Sequence, residues 1–375
     1  MIYFDNAATT KYKPEEVYEA VNFYLRDVGV SPGRGSYSIG IEASRMLYRA
    51  RCTVGKYFGM SRPDRVIFTK NSTEAINLFF NGFLKQGDHV IISCYEHNAV
   101  LRPIQHLKDL GIIDYSIIQR DDLTLSAEDI FKKYVSPNTR LLAMTLASNL
   151  TGRIVFREDL YKLYKANGIV TFLDSSQGAG KMALSMKAQS IDFLAFTGHK
   201  DLMALPGVGG LCCESKEGFH PLIQGGTGIH GENYTNPDIF PEGYEAGTLN
   251  MPAIWSLHAG VEYIIHHRKE IQNQERILTQ YLVEQLDTLD NVIVYDGDAD
   301  RLATCSINIK NMSSDKLVAL LDKNGICVRG GIHCAILAHE AIHTVSTGAV
   351  RISLSYCNTK EEIDELIKVL REVGD

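Results

Sequence analysis

Two side chains suggest chemistry before any fold is considered. Asp174 ends the apolar run Val170-Thr171-Phe172-Leu173, and Lys200 ends Thr197-Gly198-His199-Lys200, a segment that begins 23 residues beyond Asp174 and follows a second apolar run, residues 191–196. A carboxylate and a primary amine at the ends of neighbouring strands can hold a pyridine cofactor from both sides. The carboxylate sits against a ring nitrogen while the amine forms an imine with an aldehyde. Singly, Asp174 is an ordinary strand-end carboxylate and Lys200 an ordinary turn lysine. The pair carries the argument.

Other residues fit the same site, and each also has a plainer structural reading. Thr69-Lys70-Asn71-Ser72-Thr73-Glu74 follows an apolar run and opens a helix pattern. Ser72 and Thr73, with free backbone N–H groups and the helix dipole, suit a phosphate, or they simply cap the helix. His97, in Tyr95-Glu96-His97-Asn98, can stack on a cofactor ring and shuttle protons, or cap the helix that follows. Asn149, in Ser148-Asn149-Leu150-Thr151-Gly152, can bond a phenolic oxygen or close an Asx turn.

These residues need a scaffold that gathers strand ends. Strand patterns at 65–69, 89–93, 139–145, 168–173, 191–196 and 209–213 alternate with helix patterns at 72–83, 98–110 and 157–166, and with a weaker one around Met186. Such alternation predicts an α/β fold with a mostly parallel sheet, whose ligands gather at the carboxyl ends of the strands. From about Pro252 the character changes. A long helix pattern over 254–289 implies a bend, a break or a bridge between domains. Strands at 292–294 and 304–309 follow, then helices at 314–323 and 360–373, the last opened by a Thr359–Glu362 capping pattern. The division this predicts is a large domain over 15–251 and a small α/β domain from 252–375, with residues 1–14 joining it or reaching a neighbouring subunit.

Composition narrows the classes. The 375 residues are 45% apolar and carry a formal charge of −7, with no basic run, which argues against a nucleic-acid surface. No apolar stretch is long enough for a membrane span, and the first residues do not read as a signal peptide, so a cytoplasmic protein is expected. The eight cysteines form no CxxC pair, so neither a disulfide scaffold nor a metal site is expected. Cys212 and Cys213 read as inert strand residues.

At this point the residues carry a resemblance. The chain resembles the class V group of fold-type I pyridoxal-phosphate (PLP) enzymes, and within it the cysteine desulfurases and selenocysteine lyases of the Suf-like branch. The similarity runs from Tyr3-Phe4-Asp5-Asn6-Ala7-Ala8-Thr9 almost to the C-terminus. It implies a large domain with a mostly parallel seven-stranded sheet plus a smaller C-terminal α/β domain. Ser72-Thr73-Glu74-Ala75 is similar to the family's phosphate loop, and Glu96-His97-Asn98-Ala99 to its ring-stacking histidine segment. Asp174-Ser175-Ser176-Gln177 resembles the segment whose Asp pairs with the pyridine nitrogen and whose Gln177 contacts the phenolic oxygen. In Thr197-Gly198-His199-Lys200, the resemblance puts Thr197 and His199 on the phosphate and the cofactor on Lys200. Glu245-Ala246-Gly247-Thr248 resembles the loop that lends Thr248 to the opposite subunit's site, which implies a homodimer.

The resemblance also implies a reaction on a small amino acid. Lys200 acts as base at Cα, Asp174 keeps the ring nitrogen protonated, and Arg351 forks the substrate carboxylate, with Arg329 and Arg34 nearby. Arg329-Gly330-Gly331-Ile332-His333-Cys334-Ala335 places Cys334 at the family's nucleophilic cysteine, which takes sulfur as a persulfide. Glycines and a histidine around Cys334 read as a loop, and His333 and Arg329 are expected to supply the cation that lowers its pKa. The short spacing to Arg351 resembles the compact loop of the Suf-like branch and implies a dedicated sulfur-acceptor protein. The segment departs from the family pattern in its extra histidines, His339 and His343. Pro32-Gly33-Arg34-Gly35-Ser36 lacks the histidine often found beside the arginine. Cysteine, selenocysteine, cysteine sulfinate and other thiol amino acids stay open as substrates, as do aminotransferase and β-lyase chemistry.

Overall fold

Unbroken apolar runs such as residues 141–144 become strands where helices cover both faces of a sheet. The computed structural model describes residues 1–33, 35–297 and 299–373. Strand β1 (Ile2–Tyr3) precedes helices α1 (Glu15–Phe23) and α2 (Ser38–Tyr57). There follow β2 (Val66–Thr69), α3 (Ser72–Phe83), β3 (Asp88–Ser93), α4 (Asn98–Asp109), β4 (Ile113–Ile118) and α5 (Ala127–Tyr134). Next come β5 (Thr139–Thr145), α6 (Glu158–Ala166), β6 (Val170–Asp174), β7 (Phe193–Thr197) and β8 (Gly209–Cys213). Helix α7 (Met251–Leu286) leads into β9 (Val292–Val294), β10 (Thr304–Ile309) and α8 (Ser314–Lys323). The chain closes with β11 (Ile326–Cys327), β12 (Arg329–Gly331), α9 (Ile336–Ala341), β13 (Ala349–Ser353) and α10 (Lys360–Glu372).

The large sheet has seven strands in the order β2-β8-β7-β6-β5-β3-β4. Only β8 runs against its neighbours; β7, β6, β5, β3 and β4 pair in parallel, and β2 shares their direction through its antiparallel pairing with β8. The carboxyl ends of β2, β3, β5, β6 and β7 therefore lie along one edge. Successive strand residues feed opposite faces: Leu142 and Met144 join the core under α2 and α7, whereas Leu141 and Ala143 join the core under α3 and α4. Phe79 of α3 centres the second core, with ring centroids 4.2 Å from Phe193, 4.8 Å from Phe83 and 5.2 Å from Phe172.

A second sheet, β12-β13-β10-β9, is antiparallel and packs on α8 and α10. The N-terminal strand β1 pairs in parallel with β11, Ile2 opposite Ile326, and Phe4 is buried in the same core as β10 and β13. Helix α7 is a single 36-residue element. Its first half, with Leu257 and Val261, packs in the large-sheet core, and Leu278, Leu282 and Leu286 pack in the small one. It is the bridge of the expected alternatives, without a break.

One expectation needs correction. The stretch around Met186 is not a helix but one isolated turn. Gln189 N–H closes onto Ser185 O at 2.9 Å, and left-handed Ser190 (φ 60°) stops it from propagating. Strand β4 adds to the expected strands: its Ile-Asp-Tyr-Ser sequence alternates instead of forming an apolar run, as suits a half-exposed strand at the sheet edge. Phe79→Ala would empty the centre of the aromatic core, and we expect it to cost about 3–5 kcal/mol, measured by denaturant unfolding. A loss below about 1 kcal/mol would contradict the packing described.

Candidate active site

Register brings the opening pair together. Asp174, the last residue of β6, lies opposite Ala195 of β7, two residues before Thr197 and the turn that carries Lys200. Asp174 is buried, and its Oδ1 accepts from Ser72 Oγ at 3.3 Å, Ser176 N–H at 3.0 Å and Ser176 Oγ at 2.6 Å. Each side-chain hydrogen bond among the described residues falls on Oδ1, so Oδ2 is the oxygen available to a ring N–H. Burial lowers the pKa of Lys200, opposed by Asp174 and reinforced by Arg351 and Arg329.

The loops behind the pair are locked to each other. A Cβ at Gly180 would lie 2.0 Å from the Asp201 carbonyl oxygen, so only glycine allows this approach. Asp201 Oδ2 accepts from Gly178 N–H at 2.5 Å, and Lys181 Nζ stands 3.3 Å from Asp201 Oδ1 and 3.3 Å from Glu275 Oε2 on α7. The three charges are nearly buried, and Asp201 and Glu275 hold Lys181 protonated despite its burial.

His97 is the N-cap of α4: its Nδ1 accepts from Ala99 N–H at 3.0 Å, so the ring proton is on Nε2. Burial pushes its pKa down to about 4, against Asp174, which raises it, and with Lys200 and Arg329, which lower it further. The capping reading is thus correct, and it leaves a neutral imidazole within electrostatic reach of Asp174 and Lys200. Burial also holds His199 down at about 4, with Lys200 and Lys13 adding, and its Nδ1 meets Thr9 Oγ1 at 3.1 Å.

Several atoms around this pair lack partners that their burial demands. Thr197 Oγ1 and Asn149 Oδ1 are enclosed with no hydrogen bond. At the start of α3, Asn71 caps Glu74 N–H at 2.9 Å, while the N–H groups of buried Ser72 and exposed Thr73 take no partner among the described residues. Hydroxyl and amide groups in want of a phosphate and a phenolic hydroxyl, a carboxylate for a ring N–H and a desolvated amine for an aldehyde fit pyridoxal 5′-phosphate. The Gln177 amide donates to Ala7 O at 2.9 Å, so at least one of its protons is committed elsewhere.

Arg351, on β13, is almost wholly buried. Its Nη1 donates to Asn149 O at 2.9 Å, its Nη2 meets Asp5 Oδ1 at 2.5 Å, and its Nε is enclosed without a partner. Arg329 stands directly across the ladder from it. Cys334 is exposed, and its carbonyl accepts from Asn98 N–H at 2.8 Å, beside His97. His333 does not supply the cation expected for this thiol. It is buried, its Nε2–H donates to Arg329 O at 2.9 Å, and burial together with Arg351 holds its pKa down at about 3.

Neither of the two grooves that Thr248 lines includes Lys200. Thr248 is exposed on a groove shared with Pro32, Tyr48 and Thr227. Its loop is fixed by a buried bidentate pair, Arg51 with Glu245 at 2.7 and 2.9 Å. Arg34 lies outside the described residues. Sequence reasoning missed the N-terminal segment as a part of the site. Asp5 holds Arg351, Ala7 holds Gln177, Thr9 meets His199 and Thr10 Oγ1 donates to Lys200 O at 2.8 Å. It also missed Asp201, Lys181 and Glu275, whose pairing joins residues far apart in the chain. Among the described residues no helix is long and apolar enough to cross a membrane.

Comparison with known proteins identifies the family. The family model for aminotransferase class-V matches residues 2–366. A probable cysteine desulfurase of Methanothermobacter thermautotrophicus is 32% identical, over 100% of this chain and 94% of that one. A probable cysteine desulfurase of Pyrococcus abyssi is 33% identical, over 100% and 94%. The apo structure of the cysteine desulfurase from Thermococcus onnurineus superposes with a TM-score of 0.89 at 31% identity, covering 99% of this chain and 94% of that one. With its seven-stranded sheet, its smaller α/β unit and its Asp174–Lys200 pair at adjacent strand ends, the chain belongs to the class-V aminotransferase family of fold type I, in the cysteine desulfurase group.

Proposed function

We propose that the protein is a PLP-dependent cysteine desulfurase that converts L-cysteine to L-alanine and takes the sulfur as a persulfide on Cys334. The observation that carries this reading is an exposed thiol on a turn bonded directly to the His97–Asn98 segment, beside the strand ends that hold Asp174 and Lys200. The bound cofactor supplies an electron sink for the negative charge that develops at Cα.

The chain's own groups have distinct tasks. Lys200, whose burial leaves more of it as the free amine than in a surface lysine, removes the Cα proton. Asp174 keeps the ring nitrogen protonated through its negative charge. Thr197, Ser72, Thr73 and His199 hold the phosphate. Neutral His97 stacks on the ring, and Asn149 takes the phenolic hydroxyl with Gln177 beside it. Arg351 offers its unpartnered Nε and its second Nη2 proton to the substrate carboxylate, and Arg329 adds a second cation. The Cys334 thiolate attacks the substrate sulfur. An S–S bond forms as the Cβ–S bond breaks, the bonding pair remains on Cβ, a proton completes the methyl group, and Lys200 returns a proton to Cα to give alanine. A homodimer in which Thr248 reaches the partner's phosphate site is part of this proposal, supported by the rigid hold of Arg51 on that exposed loop. A sulfur-acceptor protein then empties the persulfide.

Three outcomes test the scheme. Lys200→Ala should lower alanine formation about 10³-fold and shift the cofactor's visible absorbance; normal alanine output from that variant would refute it. Cys334→Ala should abolish both alanine formation from cysteine and the persulfide mass increment. If it releases pyruvate as fast as the parent releases alanine, the activity is β-elimination instead. The third concerns pH. Burial holds His97 and His199 near 4 in the fold, whereas both take up protons near 6.5 when unfolded. Between these values the two rings, together with buried His333, bind more protons when unfolded and outnumber the buried carboxyls Glu96 and Glu275, whose raised pKa values act in the opposite sense, so stability falls as pH falls. The Tm of cofactor-free protein should drop between about pH 7 and pH 5, and a Tm that rises over that interval would contradict the burial of these rings.

A further inference from the structure

Two imidazoles beside Cys334, His333 and His339, have no part in the chemistry above. The backbone at His333 and Cys334 is left-handed at both residues, with φ of 54° and 55°. Consecutive non-glycine residues rarely adopt this conformation, so the surroundings must hold it. Asn98 N–H donates to Cys334 O at 2.8 Å, Asn149 Nδ2 to His333 O at 2.8 Å and Ala335 N–H to Ile332 O at 3.0 Å. The His333 side chain itself closes the turn by donating from Nε2 to Arg329 O at 2.9 Å.

Beneath this ring lies a second. His339 of α9 is wholly buried, nearly parallel to His333 at 11° with centroids 5.8 Å apart, and it is anchored through Nδ1 to Thr344 Oγ1 at 2.7 Å. His333 Nδ1 and His339 Nε2 are both enclosed and unpartnered. Burial lowers the pKa of each ring, so the stack carries no charge to repel itself. The Asn149 that holds the His333 carbonyl also accepts, through its own carbonyl, from Arg351. The turn is thereby tied to the arginine expected on the substrate carboxylate.

We propose that His333 is a positioning residue: its single Nε2–H bond to Arg329 O, supported from beneath by the bulk of the His339 ring, fixes the turn that aims Cys334 at the cofactor pocket. This rests on reading Cys334 as the sulfur acceptor. The role is that of a donor and spacer, and proton transfer is not part of it.

The test separates the two ring nitrogens. Glutamine places an amide N–H where Nε2 sits, and asparagine places one where Nδ1 sits. The Asn98 amide reports on the turn without any chemistry, because its hydrogen bond is to Cys334 O. In His333→Gln, Asn98 exchange with deuterium and the single-turnover rate of persulfide formation on Cys334 should stay within about twofold of the parent. In His333→Asn, exchange should accelerate at least about tenfold, and the single-turnover rate should fall by about 10–100-fold with the cofactor's absorbance unchanged. Parental exchange in the asparagine variant, or equal impairment in both variants, overturns the proposal. If the asparagine variant fails to fold, His339→Ala and His339→Phe make the same comparison. The ring-keeping variant should hold Asn98 protection and the alanine variant lose it; equal behaviour counts against the stack. A parent that forms no persulfide would defeat the desulfurase reading alone, since Asn98 exchange still decides the role of His333.

Discussion

A carboxylate and an amine share a site from which water is largely removed, and the surrounding structure makes that placement tolerable. Burial alone would discharge Lys200 and strip Asp174 of its hydration. Asp174 is sustained by Ser72 and Ser176, and it counters the desolvation of Lys200 in turn. Parallel strand pairing delivers both groups to one edge. Glycine at 180 and the Lys181–Asp201–Glu275 cluster then lock the two loops to each other and to α7. Lys181 is the centre of the cluster, because removing it would leave Asp201 and Glu275 buried beside each other without a cation.

The second recurring theme is the N-terminal segment. Six residues, Asp5 to Thr10, run beneath the site and bond Arg351, Gln177, His199 and Lys200. They are held in turn by the small sheet, where β1 pairs with β11 and Ser353 N–H donates to Phe4 O at 2.7 Å. Arg351 and the Asp174–Lys200 pair therefore belong to different sheets that one short segment joins. Asp5 is the shared element: its carboxylate occupies one edge of the Arg351 guanidinium and leaves the Nε side unpartnered. A substrate carboxylate would meet an arginine already oriented, at the cost of sharing its charge.

The thiol turn follows the same logic of orientation without charge. A cation beside a cysteine lowers its pKa, and His333 looked suited to that task from its place in the chain. The fold buries it, so it cannot hold a proton at ordinary pH, and what remains is its geometry. Arg329 lies among the site residues, since its charge disfavours protonation of His97, Lys200, Arg351 and His333 alike.

Much of this was legible in the chain itself. Apolar runs ending in Asp174 and Thr197 specified strands with functional carboxyl ends, and alternation with helices specified the parallel sheet, because local periodicity is a direct record of burial. Periodicity is a weaker record in the segment around Met186, which is short, and in the edge strand β4, which has one wet face. Single residues such as Lys200 and Asp174 could be chosen because a strand end fixes where a side chain emerges. The sequence could not determine which groups meet across hundreds of residues. Asp5 with Arg351, Asn149 with His333, and Lys181 with Asp201 and Glu275 are joined only when two sheets and a bridging helix pack together. Protonation was likewise decided there: a histidine beside a cysteine reads as a cation in a sequence, and only tertiary burial, which removes the water that would stabilise its charge, makes His333 neutral.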